Sequence, residues 1–128
     1  MIAAALLKND DMKLQEFHGT RSRLEEEGLT ALSAVFEKQR SLVVLDVSQN
    51  GAKQGLSPLL NSMIACKDTI REITIQDNKS INRAIPDLIN CIKECKNLQL
   101  LNISDLNIKR KYIEQVSTAL LETLREGS

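Results

Sequence analysis

The stretch LVVLDVSQNGA, Leu42 to Ala52, places apolar residues at its first, fourth and sixth positions, Leu42, Leu45 and Val47, then turns polar at Gln49 and Asn50. Alternation of this kind marks a strand with one buried face. Three other stretches superpose on it without a gap: LQEFHGTRSRL from Leu14, IREITIQDNKS from Ile70 and LQLLNISDLNI from Leu98. Successive starts differ by 28 residues. The same places hold Leu14, Phe17 and Gly19, then Ile70, Ile73 and Ile75, then Leu98, Leu101 and Ile103, with Gly19 the one small exception. A fixed period of this size is the signature of a repeat architecture.

Between the strands the apolar spacing becomes helical. Leu29, Leu32, Val35 and Phe36 form one stripe, Leu56, Leu59, Leu60, Met63 and Ile64 a second, Ile85, Leu88, Cys91 and Ile92 a third, and Ile113, Val116 and Leu120 a fourth. Pro58 and Pro86 fall in the first turn of their helices, where a missing N–H is tolerated. Each unit is therefore a short parallel strand followed by a helix of about three turns. With Asn50 and Asn78 at the ninth place, the pattern is the LxxLxLxxN of a leucine-rich repeat, from which Ser22 and Leu106 depart. The expected fold is an α/β leucine-rich repeat solenoid of the ribonuclease-inhibitor-like kind, its parallel sheet concave and its helices outside. One segment spans 1–128, with repeats near 14–41, 42–69, 70–97 and 98–126, and residues 1–11 expected to end a preceding repeat helix. Two open sheet edges without a clear capping repeat lead to the expectation that the segment belongs to a longer solenoid.

Composition narrows the function. Seventeen basic residues balance 17 acidic ones, and Phe17, Phe36 and Tyr112 are the only aromatics, so neither a polybasic patch nor a base-stacking platform for nucleic acid is expected. No run approaches the roughly 18 apolar residues of a membrane span. The opening MIAAALL lacks a basic flank and leads into KNDD, so it is not read as a signal peptide. Cys66, Cys91 and Cys95 lack metal-ligand spacing and read as reduced, half-buried thiols of a cytoplasmic protein. Cys91 and Cys95, four apart, share one helix face. His18 is alone, and no nucleophile elbow, phosphate-binding loop or zinc-protease motif occurs, so no self-contained active site, metal or cofactor is expected. The run Glu25–Glu27 opens a helix, where carboxylates favour the positive end of the dipole.

The repeat assigns the polar residues two jobs. Asn50 and Asn78 at the ninth place point inward and are expected to satisfy backbone groups of the turn and of the neighbouring repeat. Ser22 can supply part of such a network; Leu106 cannot, so the last turn is expected to be built differently. The third, fifth and seventh places face the concave surface: Glu16, His18 and Thr20, Asp46 and Ser48, Glu72, Thr74 and Gln76, Asn102 and Ser104. The eighth and tenth places lie on the rim: Arg21 and Arg23, Gln49 and Gly51, Asp77 and Lys79, Asp105 and Asn107. No two copies present the same polar set, whereas the apolar places barely vary. A surface that recognises a partner fits that contrast, as does a merely solvated face.

The run GTRSRLEEEGLTALSAVF, then VSQNG, then IQDNKS, in 28-residue register, resembles the leucine-rich repeat domain of Ran GTPase-activating proteins over roughly residues 12 to 110. The resemblance implies a protein–protein interaction surface that binds the GTP-bound small GTPase Ran in the cytoplasm and stimulates its hydrolysis of GTP, in the service of nucleocytoplasmic transport. Arg21 and Arg23 fall on the family's two arginines, Gln49, Asn50 and Gly51 on its QNG, and Asp77 and Asn78 on its Asp-Asn pair. The implied partner-binding residues are Arg21, Arg23, Gln49, Asp77 and Lys79. Ser22 stands where the family has Asn, the family's critical loop asparagine lies upstream of this segment, and its acidic tail is not present. The alternative is a passive repeat scaffold, of the ribonuclease-inhibitor or tropomodulin-like kind, which binds a protein without accelerating a reaction.

Overall fold

The computed structural model describes residues 13–79 and 81–126. The expected helix end at 1–11 lies outside the described residues. Four three-residue strands, β1 (Glu16–His18), β2 (Val44–Asp46), β3 (Glu72–Thr74) and β4 (Leu100–Asn102), form one parallel sheet in chain order. They alternate with helices α1 (Glu25–Gln39), α2 (Leu56–Ala65), α3 (Ile85–Glu94) and α4 (Arg110–Glu126).

Register follows the sequence period. Glu16 sits opposite Val44, Val44 opposite Glu72, and Glu72 opposite Leu100, a step of 28 residues at every pairing. A slip of one residue would turn every apolar side chain to the wrong face, so the fourth- and sixth-place residues fix it. Leu45, Val47, Ile73 and Ile75 are fully buried, and Leu29, Phe36, Leu56, Leu59, Leu60, Met63 and Leu88 cover them from the helices. Burying each such side chain contributes about 1.5–3 kcal/mol. At β4 the corresponding Leu101 and Ile103 are only half-buried, because no strand pairs beyond them among the described residues.

Local chemistry sets the helix ends. Glu25, Glu26 and Glu27 occupy the first turn of α1, beside the positive end of its dipole. Arg40, at φ 53°, closes it in a left-handed cap by donating its backbone N–H to the Phe36 carbonyl. Pro86 stands in the first turn of α3, where it interrupts no hydrogen bond. Short 3-10 turns at Lys53–Gly55 and Asn82–Ala84 lead into α2 and α3. The repeat pattern alone carried no sign of them.

Two expectations are corrected. The stripe of α4 is not Ile113, Val116 and Leu120: Ile113 is 51% and Leu120 38% exposed, while Val116 and Ala119 are buried. The helix is rotated so that Val116 and the small Ala119, one turn apart, face the core, which leaves Ile113, Leu120 and Leu121 outside. Ser48 is the second correction. Its seventh place predicts the open sheet face, yet it is buried, with its hydroxyl donating to Asp46 Oδ1 at 2.9 Å.

Candidate functional site

The strand-to-helix turns are built on Asn50 and Asn78, both almost fully buried. Asn50 Oδ1 accepts the backbone N–H of Ser22 at 2.9 Å and of Leu24 at 3.2 Å, while its Nδ2 donates to the carbonyls of Gly19, Val47 and Ser48. Asn78 repeats the arrangement one unit later. Its Oδ1 accepts from the N–H of Asn50 and Ala52, and its Nδ2 donates to the carbonyls of Val47, Ile75 and Gln76. The amide supplies both donors and acceptor to backbone groups of the turns, a combination no other small side chain offers.

Leu106, in the same place, is buried and has no polar group to give. Asn82 ties the last turn instead: its Oδ1 accepts the Lys109 N–H at 2.8 Å and its Nδ2 donates to the Asn107 carbonyl. The Ser22 hydroxyl reaches only the Thr20 carbonyl, at 3.4 Å.

The eighth and tenth places share one conformation, whether Asn50 and Asn78 or Ser22 and Leu106 stand between them. Arg21, Gln49, Asp77 and Asp105 have φ of 53°, 57°, 53° and 55°, and Arg23, Gly51, Lys79 and Asn107 have 54°, 60°, 68° and 51°. Left-handed backbone is uncommon in residues other than glycine and asparagine, and here it recurs at the two places in every turn. The eighth-place residues are held further by the sheet. The N–H of Arg21 donates to the Ser48 carbonyl, that of Gln49 to Gln76, and that of Asp77 to Ser104, at 3.0–3.1 Å. Adjacent strands lie about 4.8 Å apart, so Arg21, Gln49, Asp77 and Asp105 form one row along the rim.

The side chains on this rim differ in their engagement. Arg21 Nε donates to Gln49 Oε1, so the turn-one cation is steered by the turn-two amide. Arg23 and Asp77 are exposed and make no side-chain hydrogen bond within the described residues. Lys79 is exposed and borders a cleft of about 480 Å³ shared with Gly51, Lys53 and Glu25–Glu27. The row changes sign along its length, from Arg21 to Asp77 and Asp105.

On the sheet face opposite the helices, Glu16 Oε1 lies 3.0 Å from His18 Nε2, both side chains well exposed. Asn102 donates to Gln76 Oε1 at 2.8 Å. Lys53 and Arg83 also lie beside the rim; they stand at unequal places in successive units, so periodicity gives them no signal.

The thiols lie away from this surface. Cys66, Cys91 and Cys95 are all buried and unbridged. Cys91 and Cys95 hold their sulfur atoms 3.8 Å apart, and that contact, with burial, keeps Cys91 protonated well above the ordinary thiol range. Burial likewise pushes the Cys66 thiol up. Among the described residues no group of His, Cys, Asp and Glu is arranged to hold a metal ion, and no helix is long and apolar enough to cross a membrane.

Comparison with protein-family models and with curated protein sequences finds no match for this chain.

Proposed function

We propose that the chain is a leucine-rich repeat solenoid of the Ran GTPase-activating class, and that it binds GTP-loaded Ran through Arg21, Arg23, Gln49, Asp77 and Lys79 to favour hydrolysis of the nucleotide. The observation that carries this reading is the eighth-place row. Arg21, Gln49 and Asp77 are fixed in left-handed backbone, bonded to the next strand's carbonyl, and turned to the exposed rim in the order of the motifs RSR, QNG and QDN.

A rim prepared in this way suits recognition of a folded protein. Its backbone is already ordered and the Arg21 guanidinium is steered by Gln49, so little conformational entropy remains to be lost on binding. The chain supplies no nucleophile and no base in this scheme. Its role is to hold the switch regions of the GTPase where the partner's own glutamine orients the attacking water. Asp77 serves as an acceptor for a cationic or N–H group of the GTPase, and Arg21 as a contact that holds an acidic or carbonyl group. Acceleration requires tighter binding to the GTP state than to the GDP state, since a ligand shifts an equilibrium only by its differential affinity. A cytoplasmic location and a role in nucleocytoplasmic transport follow from the same proposal.

Single-turnover hydrolysis of GTP preloaded on Ran tests it, using the longest available form of the protein that contains this segment. The expected result is strong acceleration that falls by more than about tenfold, or about 1.4 kcal/mol in the barrier, with Asp77→Ala or Arg21→Ala. Absence of acceleration by that form removes the activator reading and leaves a passive binding scaffold.

A further inference from the structure

Beside the rim, Lys53, Lys79 and Arg83 line one cleft of about 220 Å³, together with Gln54 and Ala84. The turns that carry the lysines are locked together: the N–H of Ala52, next to Lys53, donates to Oδ1 of Asn78, next to Lys79, at 3.3 Å. Both lysines also sit in left-handed backbone, at φ 47° and 68°. Arg83 belongs to the short turn before α3. The three cations are exposed, and among the described residues no carboxylate pairs with any of them.

The missing pairing is informative because carboxylates are near. Asp87, one turn beyond Arg83, accepts instead from Ser57 Oγ at 2.6 Å and Asn61 Nδ2 at 3.2 Å, which ties α3 to α2. Glu25–Glu27 share an adjoining cleft with Lys53 and Lys79 but form no ion pair with either. A chain with equal numbers of basic and acidic residues has no overall excess to account for such a cluster. Like charges lining one cleft repel one another, and the carboxylates nearby offset them without pairing with them, so the three cations stay open to anionic groups from outside.

We propose that this cleft is a docking site for an acidic segment of a protein partner, its carboxylates set against Lys53, Lys79 and Arg83. Several carboxylates suit it better than one phosphate, because the three cations come from separate turns of the chain. The aliphatic stems of the long side chains give the segment apolar surface between charges. Glu25–Glu27 repel it on the other side, so the segment leaves the cleft away from α1. The inference stands on charge and geometry and holds for any partner with such a segment, whether or not that partner is a GTPase.

The test is fluorescence anisotropy of a fluorescein-labelled peptide of alternating Glu and Ala, titrated with the 128-residue chain. Binding is expected at about 20 mM salt and should weaken by about tenfold or more toward 200 mM, as screening shortens the reach of surface charges. Lys53→Glu with Lys79→Glu should abolish it and create binding to a labelled Lys–Ala peptide. Lys93→Glu, on the far side of α3, should leave it within about twofold. Circular dichroism confirms that the variants, changed only at exposed positions, remain folded. No binding at low salt overturns the proposal, as does equal loss in Lys93→Glu. Displacement of the peptide by about 1 mM inorganic phosphate would assign the site to phosphate and overturn the acidic-segment assignment. Because no GTPase is present, failure here leaves the Ran reading untouched, and failure of that reading leaves this result standing.

Discussion

Asn78 Oδ1 lies 2.8 Å from the backbone nitrogen of Asn50, the same place one 28-residue step earlier. One side chain thus closes its own turn and caps the preceding one, and Asn50 passes the same service back to Ser22 and Leu24. The turns are consequently a hydrogen-bonded ladder, separate from the sheet.

Removing a rung strands buried groups on both sides. Each stranded backbone group costs about 1–3 kcal/mol, so Asn78→Ala, which leaves the N–H of Asn50 and Ala52 unpaired, should lower stability by about 2–4 kcal/mol in urea unfolding. Asn78→Asp should be similarly damaging, because it keeps the acceptor but loses the Nδ2 donor to Val47, Ile75 and Gln76. A loss below about 1 kcal/mol would mean that water replaces the rung.

The left-handed rim separates stability from recognition. Gly51, at φ 60° with open space where a side chain would stand, should lose about 1–2 kcal/mol on conversion to Val, from backbone strain rather than collision. Lys79→Gly, at φ 68°, should stay within about 0.5 kcal/mol of the parent, the relief of strain offsetting the greater freedom of the unfolded chain. Thermal unfolding of the two variants distinguishes these outcomes.

Gly55 has ordinary helical backbone, and its constraint is space. An added Cβ would lie 3.1 Å from the Glu26 carbonyl oxygen and 3.2 Å from Glu26 Cα. Gly55→Ala should therefore push the start of α2 off the first turn of α1, at a cost of about 1–3 kcal/mol. If Gly55→Ala were as stable as the parent, the close approach of the two helices would be wrong.

The buried Cys66 thiol makes stability fall at alkaline pH. Burial raises the Cys66 pKa, so above about pH 9 the unfolded chain releases a proton that the fold retains. The unfolded state then binds fewer protons and unfolding becomes easier as pH rises, by up to about 1.4 kcal/mol per pH unit per thiol. Cys66→Ala loses packing at every pH but loses this slope as well. Under reducing conditions, its stability gap to the parent should be widest near pH 7 and narrow by pH 10.

The features legible in the sequence are those that repeat. Leu45 and Ile73 pair in register because their spacing equals the period, and Asn50 and Asn78 could be assigned inward from their place alone. The last unit was less legible. Ile113 and Leu120 fit a helical stripe as well as Val116 and Ala119 do, and only contact with α3 decides between the two faces. Asn82 was invisible for a related reason: it stitches the last turn from outside the repeat pattern, in place of Leu106. The rim residues could be named, but their left-handed backbone was signalled only by Gly51 and Asn107. Arg21, Gln49, Asp77 and Asp105 share it whether Ser22, Asn50, Asn78 or Leu106 follows, so the conformation belongs to the turn and not to the ninth-place asparagine.

The most direct test of the proposed rim is isothermal titration of the longest available form of the protein that contains this segment into Ran loaded with GDP or with a non-hydrolysable GTP analogue. The account predicts at least about tenfold tighter binding to the GTP form, a preference of about 1.4 kcal/mol, which Asp77→Ala and Arg21→Ala diminish without unfolding the chain. Equal affinity for the two forms, or no binding to either, would contradict it.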